Sequence, residues 1–274
     1  MNIVVVGVNG QLGSELMKVG RDKAHAMVGL THQEIEITSA DDVDRLSQHN
    51  YDVLINTAAF HDVQVCEENV ERAWEVNSAV LLADMVRKQN SVYVYISTDY
   101  VFDGADGAYC ESDACAPHSI YGASKRAGEL LTLISEHGIV CRVSYLFGKV
   151  GCRGKGGGNF VEFIVDSINQ GKELELDADS QFSPTYAVDA AEQIMNAINA
   201  GPGIYHCANF GYCNHFQFAE ATASLLKRGH NFRPRVGVTD PLRPKRSSLI
   251  NTHICQAPHW KDGLYRYLKE KNYV

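Results

Sequence analysis

The stretch NIVVVGVNGQLG, residues 2–13, constrains this chain more than any other. A short β-branched run ends in Gly7, and Gly10 and Gly13 follow at intervals of three. Leu12, Leu16 and Val19 then recur with helical spacing. A strand that turns through glycines into a helix brings free backbone N–H groups and the positive end of the helix dipole to one point, which suits a diphosphate. The first glycine permits a tight turn, the second lets the backbone approach the phosphates, and the third allows helix and strand to pack closely. The spacing is GxxGxxG, a variant of the dinucleotide fingerprint GxGxxG. Gly151, Gly154 and Gly157 repeat it within KVGCRGKGGG, residues 149–158. There the strand has already ended, so the segment reads as a loop; its alternative role is a flap that brings Arg153 and Lys155 to a substrate phosphate.

The first half of the chain keeps alternating. Strand-like AMVGL (26–30), DVLINTAA (52–59), SVYVYIST (91–98) and IVCRVSYLFG (139–148) are separated by helical segments at 40–49, 67–88 and 119–136, the second read as one long helix. Short continuous apolar strands between helices imply a parallel sheet covered on both faces. That is the α/β class with a doubly wound, Rossmann-type parallel sheet. Further helices are expected at 159–170, 186–200, 216–228 and 260–271, a strand at 203–207, and extended chain over the proline-bearing segment 233–249. The expected division is a dinucleotide-binding domain over 1–148 and a smaller C-terminal α/β lobe over 149–274. The lobe is mainly substrate-binding and interleaved with the end of the sheet.

Hydrophobic residues make up 45% and charged residues 21% of the chain, as in a soluble globular protein. A net charge of −8 argues against a nucleic-acid or acidic-membrane partner. No apolar run approaches the roughly 18 residues of a membrane span. The N-terminal apolar run breaks into glycine and reads as a buried strand rather than a signal peptide. Eight cysteines form no CxxC and eleven histidines no HExxH. The expectation is reduced thiols in a cytoplasmic protein, with no metal site.

Four tyrosines stand four residues before a lysine: Tyr121–Lys125, Tyr145–Lys149, Tyr265–Lys269 and Tyr267–Lys271. On a helix such a pair shares one face, and an ammonium beside a phenol lowers the phenol's pKa. That arrangement serves proton transfer in carbonyl chemistry. Tyr145–Lys149 sits at a strand end, and the last two pairs lie in the final helix, where a Tyr/Lys surface is expected. Tyr121–Lys125 opens the helix that follows strand 91–98, at the carboxyl edge where open α/β folds bind ligands. Ser97, Thr98 and Asp99 end that strand, so hydroxyl, phenol and ammonium converge there. At the end of the second strand Leu30-Thr31-His32 offers no carboxylate to repel a 2′-phosphate. NADPH is therefore tolerated and NADH is not excluded.

Gly7-xx-Gly10-xx-Gly13, Asn56-Thr57-Ala58-Ala59, Ser97-Thr98-Asp99-Tyr100-Val101-Phe102 and Tyr121-Gly122-Ala123-Ser124-Lys125 together resemble the extended short-chain dehydrogenase/reductases. Within them the chain is similar to the dTDP-4-dehydrorhamnose reductase family, and Arg142-Val143-Ser144, Asn159-Phe160-Val161, Ser183-Pro184-Thr185 and Arg243-Pro244 extend the likeness over nearly its whole length. The resemblance implies hydride transfer from a nicotinamide, NADPH or NADH, to C4 of a 4-keto-6-deoxy nucleotide sugar. In that reading Tyr121 donates the proton, Lys125 lowers its pKa and holds the nicotinamide ribose, and Thr98 hydrogen-bonds the reacting oxygen. Gly10-Gln11-Leu12 and Asn56-Thr57-Ala58-Ala59 hold the cofactor, with Glu36-Ile37 near its adenine end. Asp99, Tyr100, Tyr145 and Asn159 face the substrate, Tyr145 standing where the family often has tryptophan. A homodimer is also expected. Some members bind magnesium between subunits through glutamates; Glu15 matches one of these but Val188 replaces another, so no metal is expected and Glu15 reads as a solvated helix residue.

Two other readings share these motifs. A sugar-nucleotide dehydratase or epimerase needs an added acid/base pair, and its glutamate after the Asp is Tyr100 here. A regulatory subunit of a methionine adenosyltransferase resembles the same family but would not need Thr98, Tyr121 and Lys125 kept together. A serine hydrolase has little support, because GASKR is not a GxSxG elbow.

Overall fold

Six parallel strands form the central sheet: β1 (Asn2–Val6), β2 (Ala26–Leu30), β3 (Val53–Asn56), β4 (Val92–Thr98), β5 (Gly138–Val143) and, from much later in the chain, β9 (Gly203–His206). Their order is β2-β1-β3-β4-β5-β9, doubly wound about β1 and β3. Every residue of β3 and β5 is buried, which is why these strands read as apolar runs apart from Asn56 and Arg142. This computed structural model describes residues 1–151, 157–237 and 240–274. Gly154 and the Arg153–Lys155 flap reading lie outside the described residues.

Helices cover both faces. On one, α1 (Gln11–Asp22) and α8 (Ala187–Ala200) set Leu12, Leu16 and Ile194 against Val5, Ile55 and Val94. On the other, Leu46 of α2 (Ala40–Ser47) and Leu82 and Val86 pack on Val4, Leu54 and Tyr93. Each such buried side chain contributes roughly 1.5–3 kcal/mol, so the two layers hold the sheet. α6 (Ile120–Leu133) lies along β4, capped by the Ser119 hydroxyl, which accepts from Gly122 N–H.

Three segments differ from the sequence expectation. The long helix expected over 67–88 is three helices, α3 (Val63–Glu68), α4 (Val70–Ser78) and α5 (Val80–Gln89). Asn69 leaves helical geometry, and Ala79 turns left-handed at φ 48°. Ala79 is itself buried beside Val76 and Leu82, so the apolar face runs through the break and its spacing conceals it. The strand expected over 139–148 ends at Val143, because Tyr145 takes φ 41°. β6 (Leu146–Phe147) then pairs with β8 (Thr185–Tyr186) outside the main sheet. Among the described residues of 233–249, expected as extended chain, only the start, 233–235, is strand. It belongs to β10 (Asn231–Arg235), which pairs in parallel with β7 (Glu173–Asp177).

These ribbons join α7 (Phe160–Asn169), α9 (His215–Leu226) and α10 (Trp260–Glu270) around a second, aromatic-rich core of Phe147, Phe182, Phe218, Trp260 and Tyr267. The chain reaches that core from β5 and leaves it through α8 to add β9 beside β5, so the second half returns to the first half's sheet.

Candidate active site

The loop after β1 is shaped by its glycines. Gly7 has φ +83°, and a Cβ there would lie 2.7 Å from the Thr57 hydroxyl. A Cβ on Gly13 would lie 2.5 Å from the carbonyl oxygen of Gly7. Both positions exclude a side chain, and Gly10 caps α1 with no side-chain hydrogen bond and no acidic residue in the first turn. The N-terminus of α1 is thus open backbone with its dipole uncompensated, a cradle that fits a diphosphate.

That cradle forms one end of a cavity of about 1230 Å³ at the carboxyl edge of the sheet. Gly7, Gly10, Gln11, Leu12, Gly13, Glu36, Ile37, Thr57, Ala58 and Ala59 line it, as do Thr98, Asp99, Tyr100, Tyr121, Lys125, Tyr145 and Asn159. Asn56 lies behind the wall: its Oδ1 accepts from Ala58 N–H at 3.0 Å and its amide donates to Tyr93 at 3.2 Å. It orients the lining backbone from underneath.

Of the four Tyr–Lys pairs, only Tyr121–Lys125 places both residues in the cavity. Tyr145 reaches it, but Lys149 points away to Glu270 at 3.8 Å. Tyr265 is exposed, whereas Tyr267, expected on a surface, is fully buried and donates to Glu162. Burial raises the Tyr121 phenol well above its ordinary value, and a hydrogen bond with Thr98 partly offsets that. The Tyr121 phenol is therefore protonated at neutral pH, the state a proton donor needs. Burial also pushes the Lys125 ammonium down to about 7. Its Nζ lies 4.1 Å above the centre of the Tyr95 ring, a cation–π contact.

The cavity residues Asp99, Asn159 and Tyr145 are held from behind. Asp99 accepts from the hydroxyls of Ser247 at 2.5 Å, Ser144 at 3.0 Å and Thr98 at 3.1 Å. Burial nevertheless pushes its carboxyl up to about 6. Asn159 caps α7 by accepting from Glu162 N–H, and its amide donates to Gly148 O and to Tyr267. Its polar atoms thus bind the pocket wall together. Tyr145 stacks on Phe182 with ring centres 4.0 Å apart and meets Phe160 and His215 edge-on. Its left-handed backbone is costly for a bulky side chain, and it turns the ring into the cavity.

The chain matches the family model described as the RmlD substrate binding domain over residues 1–273. It belongs to that family. It is 33% identical over 287 residues to the spore coat polysaccharide biosynthesis protein SpsK of Bacillus subtilis, covering 98% of each chain. It is 34% identical over 277 residues to a dTDP-4-dehydrorhamnose reductase of Aggregatibacter actinomycetemcomitans, covering 93% of this chain and 92% of that one. The crystal structure of dTDP-4-dehydrorhamnose reductase from Bacillus anthracis in complex with NADP superposes with a TM-score of 0.90 at 30% identity, covering 98% and 99% of the two chains.

Against the pattern of the family, Glu15 differs from expectation: it is buried rather than solvated, and its Oε2 lacks a hydrogen bond. Burial raises its pKa, with Lys18 opposing from 4.0 Å. Val188 packs as hydrocarbon against the core and offers no ligand. Among the described residues no group of His, Cys, Asp and Glu is arranged to hold a metal. Sequence reasoning assigned no role to Arg243, which lines the cavity and donates to Tyr100 at 3.1 Å and to Asp240 at 2.9 Å. Its only signal in the sequence was the basic run RPKR, residues 243–246, whose first two residues belong to the family likeness.

Proposed function

We propose that this chain reduces the C4 keto group of dTDP-4-dehydro-L-rhamnose to dTDP-L-rhamnose with NADPH or NADH. The observation that carries the reading is one cavity lined by both the Gly7–Gly13 cradle and the set Thr98, Tyr121 and Lys125. The bound nicotinamide supplies the hydride. The protein binds, orients and moves one proton. Tyr121 donates its phenolic proton to the developing alkoxide, Thr98 hydrogen-bonds the same oxygen, and Lys125 supplies positive charge on the helical face of Tyr121. Gly10, Gln11 and Leu12 hold the diphosphate, while Thr57, Ala58 and Ala59 line the cofactor's middle. Glu36 and Ile37 sit at its adenine end. There burial raises the Glu36 carboxyl, but hydrogen bonds from Thr38 and Arg72 outweigh it and hold Glu36 below its ordinary range.

Asp99, Tyr100, Tyr145 and Asn159 form the sugar side, so residues 1–148, though they carry the whole cofactor cradle, also supply three of these four, and 149–274 adds Asn159 and completes the wall. Tyr100 also weighs against a dehydratase. Burial pushes its phenol up to about 12, which leaves it a poor general base at neutral pH. We place the enzyme in the cytoplasm, on its scattered cysteines, free among the described residues, and take it as a homodimer; light scattering of the purified chain checks the second.

The experiment is loss of 340 nm absorbance from NADPH, then NADH, with dTDP-4-dehydro-L-rhamnose. Tyr121→Phe is expected to slow turnover about 10²–10⁴-fold while retaining cofactor binding. No oxidation by the unaltered chain with either cofactor sinks the substrate assignment.

A further inference from the structure

α6 presents Tyr121, Lys125 and Glu129 at intervals of four residues, so all three share one helical face. The first two line the cavity, while Glu129 sits one turn further on at 0% exposure. Its carboxylate is fully engaged. Arg142 donates from Nε to Oε1 at 2.8 Å and from Nη2 to Oε2 at 2.9 Å. Ser97 donates at 2.5 Å and Arg126 at 2.6 Å. Burial alone would raise Glu129, but Arg142, Ser97 and Arg126 hold it below its ordinary range, so it is ionised at neutral pH.

A counter-ion for Arg142 would need only the bidentate pair. The other two donors belong to the catalytic frame: Ser97 immediately precedes Thr98, and Arg126 immediately follows Lys125. Lys125 is 2% exposed, an environment that expels a proton from an ammonium. Glu129 is the carboxylate that opposes this.

We propose that Glu129 is a positioning residue for the reduction: from outside the cavity, its carboxylate keeps the positive charge of Lys125 in the active site. The proposal rests on the roles given above to Tyr121 and Lys125. Other groups bear on the pair from each neighbouring element. β4 contributes the Tyr95 phenol and β5 the Arg142 guanidinium. The segment before α6 contributes Cys115, β9 contributes His206, and α6 itself contributes Arg126. Around Tyr121, at the other end of the face, stand Asp99 and Tyr100 after β4 and Cys66 of α3. Glu67 of α3 accepts from the Ile120 N–H at the start of α6.

The test is the pH dependence of kcat for the full chain, saturated with NADPH and dTDP-4-dehydro-L-rhamnose, with folding followed by circular dichroism. Glu129→Gln keeps the shape and removes the charge, so Lys125 loses its proton at lower pH. The alkaline limb of kcat is expected to move down by about one pH unit. Glu129→Asp keeps the charge but withdraws the carboxylate by one methylene, so its limb is expected to move down by less. A merely structural Glu129 would change stability and leave both limbs in place, and that result overturns the proposal. If Glu129→Gln does not fold, the Glu129→Asp limb decides alone: a downward shift supports the proposal and an unmoved limb overturns it. Tyr121→Phe runs beside them. If it turns over at the unaltered rate, the underlying reading of Tyr121 fails and the proposal with it. If it is slow while both limbs stay put, only the role of Glu129 fails.

Discussion

At the end of β4 three hydroxyls converge on the buried carboxyl of Asp99, yet they do not cancel the cost of burying its charge. Its folded pKa, about 6, lies above its unfolded value. The folded state therefore holds the proton more tightly. This contribution to stability is fully present below about pH 4 and is lost as pH rises through the folded pKa. Asp99→Asn cannot titrate. Relative to the unaltered chain, its stability is expected to rise by about 1.5 kcal/mol between pH 5 and pH 8. Urea unfolding at the two pH values measures this, and an equal difference at both would show that Asp99 does not titrate in that range. Chemically this residue was legible, since an acid beside Thr98 at a strand end is conspicuous. Its partners Ser144 and Ser247 were not, because they come from 45 and 148 residues away.

Among the elements, α1 depends on the absence of atoms at its start. Gly13→Ala would place a methyl against the Gly7 carbonyl, pushing helix from strand at the turn proposed to hold the diphosphate. NADPH at about 100 times its Kd should stabilise the unaltered chain by about 2.7 kcal/mol, seen as a raised melting temperature. Gly13→Ala is expected to abolish that rise; an undiminished shift would mean the cofactor does not use this turn. The C-terminus of α9 gives an opposite case. Lys227 is exposed and left-handed at φ 55°, a conformation glycine adopts without steric cost. Lys227→Gly is expected to stabilise the chain by about 1 kcal/mol in urea unfolding, and a loss of stability would contradict the cap assignment.

For the molecule as a whole, the sheet and the Tyr121–Lys125 site were readable because buried parallel strands and i, i+4 spacing are local patterns. Breaks hidden inside them were not. Ala79 and Tyr145 adopt left-handed backbone without being glycine, and only tertiary packing explains either. β7 carries its own period-two signal, ELELD, but a five-residue alternation on an otherwise polar segment is weak. The late return of β9 has a consequence for how the chain assembles. Residues 1–148 contain every residue proposed to hold the cofactor, yet in such a fragment β5, with all six residues buried in the whole chain, would lack its outer neighbour. Its edge would be an apolar template for strand addition between copies. Expressed alone, the fragment is expected to aggregate, and a monomeric, NADPH-binding fragment would contradict this. On a ribosome the same edge stays open for the sixty or so residues before Gly203 emerges. The second half of the chain is thus also the first half's protection against itself.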